Sequence, residues 1–332
     1  MKKQFFLIGF CLCIAFLAGA QSYHFSQFFS TPLLTNPANT GFTEGPYRIA
    51  SNFRTQGLQG GSSYITSYLS ADVSPLRNSL AKGHKAGMGM YLMNDRSLGG
   101  AIQSNTIGLS AAYTVGLDEY GDHNLGIGLQ GTYQKTTVDY NKLNFENQYG
   151  QTGYNPTLPV GESLAYNSKQ FFDVNAGIAY NVLLEDRSYF AGVSVYNILR
   201  HKENGLAALF QMPTRLTVQA GAQFFTGTYG KVYFSATNMA QAKAMETTVG
   251  GAYGQQLTDG ERNEIMVGMW YRYKDALIPY VGYQVNSLQF GLSYDYTVSS
   301  LKSGAQVRNG YELTILYKAI DKRELKTLIP WY

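Results

Sequence analysis

The chain has 332 residues, with 26 Lys and Arg against 22 Asp and Glu, 27 Tyr, 36 Gly and two Cys. A formal charge of +4 with no basic cluster gives no argument for nucleic acid or any other anionic partner. Past residue 20 there is no apolar run of about 18 residues, which excludes helical membrane spans.

The first twenty residues, "MKKQFFLIGFCLCIAFLAGA", have the layout of a secretory signal. Lys2 and Lys3 supply the positive start, Phe5 to Leu17 the apolar core, and Ala18-Gly19-Ala20 the small-residue cleavage site. The apolar run is short for an anchor of roughly 20 residues, and no basic stop-transfer cluster follows it. Cleavage is therefore expected between Ala20 and Gln21. Cys11 and Cys13 leave with the leader, so the exported chain is expected to rely on something other than disulfides. Without Lys2 and Lys3 the balance is 24 basic to 22 acidic residues.

Next comes "SYHFSQFFSTPLLTNPANTGF", residues 22–42, rich in Phe yet following neither a helical nor a strand period. Its "NPANTG" is a cluster of turn formers. Phe25, Phe28, Phe29, Leu33 and Leu34 fall within ten positions, a poor composition for a solvated tail. If the rest of the chain closes into a barrel, this segment is expected to enter from the periplasmic end and plug the lumen. Irregular backbone is tolerated at membrane depth where protein surrounds it. The bulky residues would wedge against inward glycines, and Asn36-Pro37 would reverse the chain.

From residue 47 the period becomes two. "LQFGLSYDYTV", 288–298, sets Leu288, Phe290, Leu292, Tyr294, Tyr296 and Val298 on one face and Gln289, Gly291, Ser293, Asp295 and Thr297 on the other. "TIGLSAAYTVGL" (106–117), "NLGIGLQGTYQ" (124–134), "FDVNAGIAY" (172–180) and "LTVQAGAQF" (216–224) repeat the pattern. About fourteen strands are expected, near 47–56, 63–74, 84–94, 103–117, 124–139, 170–181 and 187–197, then 213–226, 231–239, 244–256, 264–273, 276–285, 288–299 and 310–318. A soluble sandwich also alternates, but its outer face carries Lys and Glu. Here the second face is small and uncharged for long stretches, as in a transmembrane barrel with apolar residues outward and Tyr at the interfaces. The expected organisation is a leader (1–20), a plug segment (21–46), an outer-membrane β-barrel (47–318) and a tail (319–332).

Loop lengths point the same way. With the N-terminus in the periplasm, the long connections 140–169, 198–212 and 300–309 face outward, and the inward turns are mostly short. Phe145, Tyr149, Tyr154 and Phe210 on the outer loops are candidate contacts for a partner protein, or ordinary loop packing. The inward connection 75–85 is basic and longer than a turn, a second surface candidate. Arg48, Arg54, Asp72, Asp295 and Glu312 fall on the polar side of first, second and late strands that a closed barrel makes neighbours. Glu246 and Arg272 form a similar set on adjoining strands. These charges either line a selective pore or tie the wall to the plug, since confined charges cost less when paired.

No catalytic or cofactor pattern survives inspection. "GIGLQG" at 126–131 has dinucleotide-type spacing but sits inside a continuing strand, with no helix N-terminus to hold a pyrophosphate. His24, His84, His123 and His201 have no metal-ligand spacing. A non-catalytic protein without cofactor or metal is expected.

"HFSQFFSTPLLTNPANTG" (24–41), "GMGMYLMNDRSLGG" (87–100), "GLSYDYTVSSL" (291–301) and "GYELTILYK" (310–318) occur in that order. Together they resemble the PorP/SprF family of outer-membrane proteins associated with type IX secretion. The tail "AIDKRELKTLIPWY" departs from the family, whose members usually finish close to the last strand. The resemblance implies an outer-membrane location in a Gram-negative bacterium, contact with outer-membrane lipid, and protein partners. Those partners are periplasmic machinery, a secreted cargo's C-terminal domain, or both. The competing reading is a passive transporter or porin whose N-terminal segment gates small or hydrophobic solutes.

Overall fold

The computed structural model describes residues 25–57, 63–76, 80–150, 153–159, 168–199, 212–242, 244–257, 262–299 and 309–319. Fourteen strands close into one antiparallel barrel. They are β1 (Tyr47–Gln56), β2 (Tyr64–Val73), β3 (Lys85–Ser97), β4 (Ile102–Gly116), β5 (His123–Val138), β6 (Ser168–Leu183) and β7 (Arg187–Tyr196). The second half comprises β8 (Arg215–Thr226), β9 (Gly230–Gln241), β10 (Ala244–Gln256), β11 (Glu264–Arg272), β12 (Ala276–Val285), β13 (Leu288–Thr297) and β14 (Gly310–Lys318). Each strand pairs with its chain neighbours, and β14 returns to β1 in the register Arg54↔Glu312 and Arg48↔Lys318. Closure leaves no unpaired sheet edge, a condition for strands in a membrane, where bare N–H and C=O groups have no water.

All fourteen expected strands form, with ends shifted by up to three residues. The pleat explains why they were legible: neighbouring side chains point to opposite faces, so a wall between lipid and a polar interior imposes period two. On β13 Leu288, Phe290, Leu292 and Tyr296 are exposed outward, whereas Gln289, Ser293, Asp295 and Thr297 are buried inward. On β4 Ile107, Leu109 and Tyr113 face out, and Ser110, Ala112 and Thr114 face in. "GIGLQG" lies within β5, as its flanking alternation requires.

The apolar exterior of the wall faces lipid and forms no core of its own. Buried apolar side chains gather instead in the lumen. One cluster joins Phe28 and Phe29 to Trp270, Ile278 and Tyr280, and another joins Phe25 and Leu33 to Tyr68, Tyr91 and Leu316. Each includes residues from the N-terminal segment, which therefore supplies part of the protein's core.

Candidate functional site

The segment 25–43 is almost wholly buried and consists of short turns. Phe28–Ser30 forms a 3₁₀ turn, Pro32–Thr35 a single helical turn and Pro37–Asn39 a second 3₁₀ turn. Pro at the first position of the last two costs nothing, because that N–H has no partner within a helix anyway. The turn expected at Asn36-Pro37 is capped. The Asn36 side-chain oxygen accepts the Ala38 N–H at 2.9 Å, and its Nδ2 donates to the wall carbonyls of Ile178 (3.0 Å) and Val193 (3.4 Å).

The wall also satisfies the segment's own carbonyls, which short turns leave open. Gln130 Nε2 and the Tyr196 hydroxyl donate to Leu33 O, at 3.0 and 3.1 Å. Arg215 donates to Leu34 O at 3.0 Å, and Ser194 to Thr35 O at 2.8 Å.

The aromatic side chains pack differently from the sequence expectation. Phe29 lies 4.9 Å from Trp270 and 5.5 Å from Tyr280 between ring centroids, and Phe25 lies 6.0 Å from Tyr68. The rings thus meet large lumen aromatics rather than glycines. Each buried Phe or Leu stabilises by about 1.5–3 kcal/mol relative to exposure. Leu33 does pack against an inward glycine, Gly89, as expected, and other inward glycines make room for residues 36–41. A Cβ on Gly128 would overlap Pro37, one on Gly177 the Asn36 side chain, and one on Gly87 the Thr40 carbonyl.

Two charged clusters grip the two ends of this segment. At one end, Arg48 makes a two-pronged pair with Asp72, Nε at 3.0 Å and Nη2 at 2.8 Å. Asp72 also accepts the Gly41 N–H at 2.7 Å, while Arg48 donates to Asn39 O at 3.1 Å. At the other end, Arg54 pairs with Asp295 at 2.8 Å and Glu312 at 3.3 Å. Ser26 Oγ donates to Asp295 at 2.7 Å, and Glu312 accepts the backbone N–H groups of Ser26 (2.7 Å) and Gln27 (2.9 Å). Thr314 and Ser293 hold the Gln27 amide at 2.7 and 3.1 Å.

Glu246 and Arg272 act on each other electrostatically, and Arg272 in addition reaches the seam set. Arg272 pairs with Asp275 at 2.8 Å and with Asp295, so Asp295 joins β11 to the seam cluster. Glu246 lies half-buried two residues before Thr248, the register partner of Arg272. The two sets merge because a curved wall lets side chains two strands apart converge on the lumen.

Sequence reasoning passed over three further groups. Glu44, just before β1, pairs with Arg262 and, at 3.8 Å, with Lys318. Burial works to raise its carboxyl pKa, but the cations, Lys318 foremost, outweigh that and hold it below the usual range. Glu264 accepts from Tyr233 (2.7 Å) and Lys231 (2.5 Å). Arg215 lies against the Tyr196 ring, 4.1 Å from its centroid. Arg215 and Glu264 were legible by parity, as charges on the polar face of their strands. Glu44 lacked a period to place it.

Of the loop candidates, Tyr149 and Tyr154 are exposed on a tiny hairpin, their rings 5.4 Å apart. Phe145 is half-buried, 6.4 Å from the Tyr140 ring. Phe210 lies outside the described residues, as do Ala18, Ala20 and Gln21.

A closed barrel of fourteen strands, greasy outside and polar within, defines an outer-membrane-type β-barrel, here with protein packed against its inner wall. The model of a family described as type IX secretion system membrane protein PorP/SprF matches residues 17–317, and the chain belongs to that family. No curated protein sequence matches the chain. Among solved structures, the toluene transporter TodX of P. putida is 8% identical, with a TM-score of 0.50, over 88% of this chain and 94% of that one. The CymD monoaromatic hydrocarbon channel is 10% identical, also with a TM-score of 0.50, over 88% and 93%. At such identities the likeness is one of fold.

Proposed function

We propose that this protein is a non-catalytic outer-membrane component or accessory of type IX secretion. It works by binding, presenting loop and periplasmic surfaces to secretion machinery, to secreted cargo, or to both. Membership of the PorP/SprF family supports the secretion context. The observation that carries the binding role is the double clamp on residues 26–27 and 39–41. A segment hydrogen-bonded at both ends to buried, ion-paired wall residues is poorly suited to open for each passing solute, which supports its reading as a plug. On this reading residues 1–20 are the export leader, and the periplasm is the side from which the plug enters.

The partner surfaces are the outer loop bearing Tyr149 and Tyr154 and the periplasmic connection 75–85. Crosslinking in intact cells, followed by identification of co-purified proteins, tests the assignment. Recovery of type IX components or their cargo is expected. Recovery of only unrelated porins, together with solute uptake that depends on this protein, would replace it with the transporter reading.

A further inference from the structure

Asp95 sits on the inner face of β3 and is only 7% exposed. Its Oδ1 accepts the Thr66 hydroxyl at 2.6 Å, and it has no ion pair among the described residues. Arg96, the next residue, turns to the other face and bonds Asn94 there. The second oxygen of Asp95 has no partner among the described residues either, yet it is not sealed from the lumen. A buried carboxylate without a counter-ion is costly. By contrast, Asp295 and Glu312 both pair with Arg54.

The start of the plug lies beside this group. Phe25 packs in one cluster with Tyr68 and Met93, which stand two residues from Thr66 and Asp95 on the same faces of their strands. Ser26 bonds Arg54, whose register partner is Thr66, and the next register partner of Thr66 is Asp95. Two strand spacings, about 9–10 Å, therefore separate the backbone at Arg54 from that at Asp95. Gln21 precedes Phe25 by four residues. That length of extended chain spans roughly 13–14 Å, enough to reach Asp95.

We propose that Asp95 receives the α-ammonium group that leader cleavage frees at Gln21. Such capture requires that residues 1–20 be removed as a leader, as the proposed function has it. Before cleavage that nitrogen is a neutral amide; afterwards it is a cation whose N–H groups suit the open Asp95 oxygen in a charge-assisted hydrogen bond. The new pair anchors the free end of the plug, so that removal of the leader completes the clamp already made on Ser26 and Gln27. His24 is the other cation within reach, but in water an imidazole is mostly neutral at physiological pH, whereas an α-amino group is mostly charged.

The test uses the full exported chain purified in detergent micelles. Sequencing of its amino terminus comes first: a retained leader, or a start elsewhere than Gln21, overturns the proposal by way of the leader. The α-amine is then acetylated with an N-hydroxysuccinimide ester near neutral pH and followed by mass spectrometry. In the folded protein it is expected to react about tenfold or more slower than in Asp95→Asn, because a nearby carboxylate favours the charged, unreactive amine. His24→Gln is expected to keep that protection. A chain whose Gln21 has been cyclised to pyroglutamate before refolding keeps Asp95 but has no cation at its start, and its heat-modifiability midpoint is expected to fall by several degrees. This second comparison decides the matter if Asp95→Asn fails to fold, as judged by heat-dependent gel mobility. With Gln21 at the start, equal reactivity in wild type and Asp95→Asn, protection lost in His24→Gln, or a midpoint unchanged by cyclisation overturns the proposal and leaves the leader intact as an assignment.

Discussion

The Glu312 carboxylate accepts the backbone N–H of Ser26 at 2.7 Å, joining the last strand to a residue 286 positions earlier in the chain. The same carboxylate takes Gln27 N–H and the Asn52 amide, and it pairs with Arg54. One side chain therefore binds the barrel seam and the N-terminal segment together, and loss of either should be felt by both.

Arg54→Gln should lower thermal stability strongly. It leaves Asp295 with Arg272 alone and removes the cation from Glu312. Breaking a buried pair by deleting one partner costs about 3–5 kcal/mol. The heat-modifiability midpoint of the purified barrel on gels should fall by many degrees. An unchanged midpoint with altered ion conductance would instead mark the charges as pore-lining.

Asn36→Ala should destabilise by about 1–3 kcal/mol, since it removes an N-terminal cap and two bonds to the wall. The effect should appear as faster proteolysis of the segment while the strand circular dichroism stays intact. Equal loss of strand signal would show that the segment and barrel unfold as one unit.

Gly128→Val should displace the segment without breaking β5, because the atoms nearest the new Cβ are those of the Pro37–Ala38 backbone. Valine is itself a good strand residue. Protease sensitivity within residues 25–43 is expected to rise while the barrel remains heat-modifiable. An inaccessible segment in this variant would contradict the close packing described.

Acid should loosen the Glu44 latch. A carboxyl held below its ordinary range contributes stability that is complete above the unfolded-state pKa of about 4.3 and is lost as pH falls through the lower folded-state value. Protease access near residues 43–46 is therefore expected to increase only below about pH 4. Glu44→Gln should show that access at neutral pH and lose the acid dependence. An unaltered pH profile in the variant would assign the latch elsewhere.

The wall was legible because lipid on one side and a polar lumen on the other force every strand to alternate. Lumen contacts were legible only in part. Parity put Arg54, Asp295 and Glu312 on the inner face, and closure made β1 and β14 neighbours. Parity gives no distances across the lumen, so the reach of Arg272 to Asp295 was hidden. The irregular segment has no period at all. Its aromatic composition announced burial, but whether rings or backbone would meet the glycines depended on turn geometry that only the folded chain shows. Asn36 is the clearest case: the sequence marks it as a turn former, and the structure adds two wall carbonyls as its partners.

Planar-bilayer recording of the exported chain, compared with a variant lacking residues 21–42, tests the central claim that residues 25–43 fill a barrel built to bind. Electrical silence is expected from the intact protein, and steady conductance from the truncated one. Sustained ion flow through the intact protein, or none through a properly folded truncated barrel, would contradict the account.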